Sequence, residues 1–163
     1  MNSLIIFVAK YFLFISVAIV GIYWLLTSKR DKIALGVRLV IGGVIALGLA
    51  RVGAHFFYDT RPFVRDHIKP LIPHANDNGF PSDHALLASF LGFTLLAYSR
   101  SVGFFLLAMA VLIGGARVAA HVHSPIDIVG SFVFSAIAVL VTHLAFKHFG
   151  SDHQQRTWRQ RKL

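Results

Sequence analysis

Three polar clusters sit at the ends of long apolar runs. They are Arg61-Pro62, then Pro81-Ser82-Asp83-His84, then Arg117, followed after five residues by His123 and after three more by Asp127. Charged groups beside apolar runs of this length are expensive unless function keeps them there. Two arginines offer planar, bidentate donors of the kind a phosphate group takes. Backbone N–H groups at a helix start near Ser82 and Asp83 would add donors and a positive helix end. His123 and Asp127 are four apart, one turn if a helix begins early. An aspartate there can fix the imidazole tautomer and leave the other ring nitrogen free to attack phosphorus. His84 then has the complementary task, giving a proton to the leaving oxygen and later activating water. The expected chemistry is hydrolysis of a phosphate ester without a metal, with a bell-shaped pH dependence, because one imidazole must be neutral and one protonated.

The rest of the chain must bring these clusters together. The 163 residues are 56% hydrophobic and 14% charged, with nine formal positive charges in excess. Several apolar runs approach or exceed the roughly 18 residues that cross a bilayer. The expected fold class is all-α: a polytopic transmembrane helical bundle of about five spans, with an interfacial loop between helices 2 and 3. The runs are continuously apolar, not alternating, which argues against a barrel. Residues 1–150 form one membrane domain in this reading, and 151–163 a basic, disordered cytoplasmic tail. The expected helices cover Leu4–Leu26, Ile33–Gly53, Ser82–Tyr98, Val102–Ala120 and Ile126–Phe149. The stretch from His55 to Asp83 is polar and rich in proline, with a short interfacial helix placed at Phe63–Ile72. The first run is read as a retained helix, not a cleaved signal.

The basic residues lie in short links and the tail, not on one soluble face, so the excess charge speaks for membrane orientation and against nucleic acid. Lys29, Arg30, Lys32, Arg100 and Lys147 place those links in the cytoplasm. Arg61, Arg65, Lys69 and Arg117 then break the rule on the outer side, which makes them candidates for function. The topology carries all three clusters to that outer face. There is no cysteine, which excludes disulfides and thiolate chemistry. There is no glutamate either, and the seven acids are all aspartate. His121-x-His123 with Asp127 could suggest zinc, but a third ligand is wanting and two arginines would repel a cation. No metal and no cofactor are expected. The remaining histidines, His55, His67, His74, His143, His148 and His153, read as interfacial or tail residues.

Taken together, the motifs resemble the type 2 phosphatidic acid phosphatase superfamily. That family carries Lys-x6-Arg-Pro, Pro-Ser-Gly-His and Ser-Arg-x5-His-x3-Asp, and roughly residues 50–130 align with the pattern. The resemblance implies His123 as nucleophile, His84 as general acid, Asp127 as orienter, and Arg61, Ser82 and Arg117 as phosphate ligands. Three positions depart from it. The motif lysine falls on Ala54, and Arg51, one turn earlier, is the expected substitute. The serine before Arg117 is Ala116. The motif glycine is Asp83, a form similar to the bacterial undecaprenyl diphosphate phosphatase branch. An anion there should face away or pair with Arg65 or Lys69. The implied activity is hydrolysis of undecaprenyl diphosphate at the outer face of a bacterial cytoplasmic membrane. Phosphatidylglycerol phosphate, phosphatidate and lipid A 1-phosphate are rival substrates. The implied partners are a polyprenyl or other lipid phosphate and membrane lipids; the oligomeric state stays open. A lipid or anion transporter, a structural protein with a decayed site, and a metal-dependent phosphatase are the competing readings.

Overall fold

The computed structural model describes residues 2–160, with side chains described through His148. Six helices follow one another: α1 (Asn2–Leu26), α2 (Lys29–Phe56), α3 (Pro62–Arg65), α4 (Asp83–Leu96), α5 (Arg100–Ala119) and α6 (Pro125–Gln160). α1, α2, α5 and α6 are each long and apolar enough to cross a membrane, and α4 is a shorter apolar helix. At 14 residues, α4 is about 21 Å long, less than the ~30 Å hydrocarbon core.

α4 is the centre of the bundle. It packs most extensively against α5 and α6, and α1 packs on α5. Nine of its 14 residues are buried, and Phe90, Leu91 and Leu95 join Leu35, Ala46, Leu106 and Ala138 in the largest core cluster. The outer helices are inverted relative to a water-soluble fold. Phe14, Val44, Leu47, Phe104 and Val129 are all exposed, a face suited to lipid and costly in water. The chain is thus a multi-pass membrane protein. Close approach of α4 and α5 depends on Gly103, where a Cβ would lie 2.7 Å from the Leu96 backbone nitrogen.

Sheltered hydroxyls lock α4 to α6. Ser131 Oγ donates between the carbonyls of Ser82 (2.9 Å) and Asp127 (2.7 Å). Ser135 Oγ lies 2.8 Å from the Leu86 carbonyl and 2.8 Å from Ser89 Oγ. Inside a bilayer such groups must find partners in the protein. Here the partners lie across the helix pair, so the two N-terminal ends are held in register.

Several boundaries differ from those expected. α2 begins four residues early, because Ser28 caps it: Ser28 Oγ accepts from the Asp31 N–H at 3.2 Å and donates to the Asp31 carboxylate at 2.8 Å. Trp24 Nε1 donates to the Lys32 carbonyl at 2.8 Å and closes the α1–α2 turn. Basic residues end an apolar run without ending a helix. The interfacial helix expected at Phe63–Ile72 is a single turn, Pro62–Arg65: the chain turns left-handed at His67, with φ 52°, and Pro70 and Pro73 keep the helix from resuming. The last helix is also longer than expected: α6 continues to Gln160, past Phe149, into the basic tail. Residues 161–163 of that tail lie outside the described residues.

Candidate active site

The C-terminal ends of α2 and α5 and the N-terminal ends of α4 and α6 meet at one end of the bundle. The 57–82 loop is strapped across them. Phe63 N–H donates to the His121 carbonyl at 3.0 Å, and Leu71 N–H to the Ala120 carbonyl at 3.1 Å. The Asn78 amide is the hub of this loop. Its Nδ2 donates to the carbonyls of Ala54 (3.0 Å) and Phe57 (2.9 Å), satisfying the end of α2. Its Oδ1 accepts from the backbone N–H groups of Asp59 (3.0 Å) and Phe80 (2.9 Å). Gly79 then passes so close to Asp127 Oδ2 that a Cβ would lie 3.0 Å from it. Any larger residue would press on that carboxylate.

A cavity of about 280 Å³ opens beneath this loop, and Arg51, Arg61, Asp83, His84, Arg117 and His123 are on its wall. Arg61, Arg117 and His123 are 5%, 4% and 2% exposed, and Asp127 is fully buried. Burial this deep demands partners for every charge, and the partners define the site. His123 Nδ1 lies 3.1 Å from Asp127 Oδ2 and 3.0 Å from the Gly79 carbonyl. Both are acceptors, so Nδ1 carries the proton and Nε2 is bare. The bare Nε2 faces Arg117 Nη2 at 3.3 Å and Arg61 Nη1 at 3.4 Å. The Ser124 N–H donates to the same Asp127 oxygen at 2.8 Å, so α6 begins with the carboxylate already oriented. His123 itself precedes the helix, and the expected four-residue pairing spans the helix start. Burial above all pushes the His123 imidazole below its ordinary range; Arg117 and Arg61 act in the same direction, and the hydrogen bond to Asp127 opposes them. A neutral imidazole with one nitrogen tied and one bare is a nucleophile or a base.

The two arginines are unequal. Arg61 Nε is paired with Asp77 at 2.7 Å, Nη1 donates to the Val122 carbonyl at 2.7 Å, and Nη2 donates to the Asn78 carbonyl at 3.1 Å. That hydrogen bond from Arg61 holds the Asp77 carboxyl below the usual carboxylate range. Arg117 keeps more donors open: Nη2 serves His123 and, at 3.0 Å, His74 Nε2, while Nε has no protein partner. Three of the seven buried side-chain polar atoms without a partner among the described residues belong to this site: His74 Nδ1, Arg117 Nε and Asp127 Oδ1. Native interiors rarely leave such groups unpaired, and their concentration here marks a site that a polar ligand completes. Three guanidiniums, of Arg51, Arg61 and Arg117, against the carboxylates of Asp77 and Asp83 leave one net positive charge on the wall.

His84 is half-buried on the wall. Arg51 is exposed, beside Ala54 on the same wall. Ser82 departs from expectation. It precedes α4 as the N-cap but makes no side-chain capping bond, is fully buried, and is not on the cavity wall. Asp83 also departs. It faces the cavity without the expected partner, because Arg65 pairs with Asp66 at 2.9 Å. Reading the chain as a sequence missed His74, Asp77 and Asn78. The only signal available was the dense polar run Asn76-Asp77-Asn78-Gly79 in a segment too long for a simple turn. No group of three or more metal-ligating side chains occurs among the described residues.

Two apolar recesses adjoin the cavity. One, of about 260 Å³, shares Leu47, Asp83 and His84 with it and is otherwise lined by residues such as Leu13, Leu86 and Phe90. The second, of about 530 Å³, shares Gly43, Leu87 and Phe90 with the first and runs between α1 and α2 over α4. The polar cavity and the two apolar recesses thus follow one another along shared walls.

The pattern of the PAP2 superfamily matches residues 55–150, which include the wall residues Arg61, Asp83, His84, Arg117 and His123 but not Leu47, Arg51 or Ala54. Undecaprenyl-diphosphatase BcrC of Bacillus subtilis (strain 168) is 29% identical over 150 residues, covering 90% of this chain and 74% of that protein. YbjG of Escherichia coli (strain K12) is 30% identical over 159 residues, covering 96% of this chain and 79% of that protein. The crystal structure of Aquifex aeolicus LpxE shares the fold, with a TM-score of 0.65 at 21% identity over 87% of this chain and 86% of that one.

Proposed function

The chain belongs to the PAP2 superfamily and is a lipid phosphatase, and from that premise we propose that it converts undecaprenyl diphosphate to undecaprenyl phosphate through a phosphohistidine on His123. The observation that carries this reading is the state of His123. Its Nδ1–H is held by Asp127 and Gly79, and its bare Nε2 lies between two guanidiniums in a buried cavity. The named activity of the Bacillus subtilis relative and the Pro81-Ser82-Asp83-His84 form favour the diphosphate. The headgroup enters the cavity, and the prenyl chain lies in the adjoining apolar recesses.

In the first step Nε2 attacks the terminal phosphorus as the bond to the bridging oxygen breaks. The leaving lipid monophosphate takes that electron pair, and the His84 imidazolium supplies its proton. Arg117 and Arg61 release Nε2 and donate to the equatorial oxygens, where charge builds up. Asp127 offsets the positive charge that develops on the phosphorylated ring. In the second step a water attacks phosphorus, now-neutral His84 takes its proton, and inorganic phosphate leaves His123 as it began. Arg51 stands in for the motif lysine at Ala54, at the edge of the same wall. The basic links between α1 and α2 and between α4 and α5 lie at the opposite end of the bundle, which supports a cytoplasmic placement for them and an outer-face site.

The test is phosphate release by the purified protein in chelator from undecaprenyl diphosphate, phosphatidylglycerol phosphate, phosphatidate and a lipid A 1-phosphate. The diphosphate is expected to give the highest kcat/KM; preference for a monoester would overturn the substrate assignment. The pH profile of kcat/KM follows from the state of His123. Nucleophilic attack needs the neutral ring, and its pKa lies below the ordinary 6.5. The acid limb is therefore expected below pH 6.5. An acid limb centred above pH 7 would contradict this assignment.

A further inference from the structure

Arg117 Nη2 has two hydrogens and two acceptors. One is the nucleophilic nitrogen of His123 at 3.3 Å; the other is His74 Nε2 at 3.0 Å. A guanidinium cannot accept, so His74 Nε2 must be bare, and its single proton is on Nδ1. The two imidazoles stand edge to face, 5.8 Å between ring centroids at 79°. His74 lines the catalytic cavity, yet it belongs to the 57–82 loop and to none of the three motifs.

The contrast with Arg61 shows what His74 does. Arg61 is anchored by three acceptors that take no part in the chemistry: Asp77, the Val122 carbonyl and the Asn78 carbonyl. Among the described residues the Arg117 guanidinium has one such acceptor, His74. Without it the fork would rest on the His123 nitrogen alone, and that nitrogen must be released before it can attack. A long side chain held at one point loses the alignment that makes a guanidinium a good phosphate ligand. The backbone near His74 is fixed independently, because Leu71 is tied to the carbonyl of Ala120 beyond the end of α5. The His74 imidazole is pushed down to about 4, chiefly by burial and then by Arg61, Arg117 and His123, so it remains an acceptor at neutral pH.

We propose that His74 is a positioning residue for phosphate recognition: it anchors the Arg117 guanidinium, so that the fork keeps its alignment when the nucleophile is released and presents its remaining N–H groups to the phosphoryl oxygens. This rests on the lipid phosphatase reading of the same cavity. It makes the acceptor atom, not the imidazole as an acid or base, the property that matters.

The experiment compares the full-length purified protein with His74→Ala and His74→Gln, by calorimetric titration of orthovanadate and by the KM and kcat of lipid diphosphate hydrolysis. His74→Ala is expected to weaken vanadate binding and raise KM on the order of tenfold, the scale of one hydrogen bond to a charged group, with a smaller effect on kcat. His74→Gln, whose amide oxygen can accept from Nη2, should recover most of the loss. In an Arg117→Ala background, adding His74→Ala should cost little more vanadate affinity, because the effect passes through Arg117. The proposal is overturned if glutamine is as impaired as alanine, if kcat falls while vanadate affinity holds, or if the two losses add in full. Should the wild-type protein release no phosphate from any lipid, the function assignment fails by itself, and the vanadate titrations still decide the role of His74.

Discussion

Replacing His123 with alanine is expected to reduce phosphate release from lipid diphosphate by a factor on the order of 10⁴ or more, the scale seen when a covalent nucleophile is removed. The imidazole is 2% exposed, and its Nε2 is the one bare nitrogen set between both buried guanidiniums. No other side chain in the cavity can repeat that geometry. The arginines remain, so lipid diphosphate should still bind. Brief acid-free quenching with labelled substrate should trap phosphate on the wild-type chain and none on the variant. The rival reading, a passive anion or lipid carrier using the same charges, expects transport to survive the substitution. Hydrolysis that persists within tenfold of wild type would remove His123 from the chemistry and with it the phosphohistidine.

Asp127 gives the second largest effect and a graded one. Asp127→Ala removes the acceptor that orients His123 and the negative charge that balances a phosphorylated ring, and a loss of roughly 10³-fold or more is expected. Asp127→Asn should be milder, about 10²-fold. The Ser124 N–H donates to the same oxygen that receives His123 Nδ1, and this selects the amide orientation with oxygen toward the ring. The tautomer is then kept and only the charge is lost. The Gly79 carbonyl, 3.0 Å from Nδ1, supports the same tautomer in both variants. Steady-state kinetics of the two proteins, with circular dichroism as a check on folding, decides the order. Equal losses would mean that the tautomer argument is wrong.

The main features of the site were legible in the sequence because topology alone does much of the work. Once the apolar runs are read as antiparallel helices, the ends of α2 and α5 and the starts of α4 and α6 must share one side of the bundle. Arg61, His84, Arg117, His123 and Asp127 ride on those ends. Their types and spacing named the chemistry before any distance was known. The loop from 57 to 82 was different. It has no periodicity, so nothing linear says that Asn78 reaches back to Ala54, that Asp77 meets Arg61, or that His74 meets Arg117; those contacts depend on the path of the loop. Ser82 shows the converse limit. Its motif position implied a phosphate ligand, but its hydroxyl is buried away from the wall while its carbonyl receives Ser131. Helix ends were misjudged wherever a cap, such as Ser28, extended a helix past the hydrophobic stretch.

The wall that the polar cavity shares with its apolar neighbour, at Leu47, Asp83 and His84, changes what concentration means for this enzyme. A molecule with one end under Arg117 and the other in hydrocarbon arrives by lateral diffusion in two dimensions, and its product departs the same way. Occupancy is then governed by mole fraction in the surrounding film, not by molarity in the bulk. Dilution with inert amphiphile slows turnover even when the total amount of substrate is unchanged.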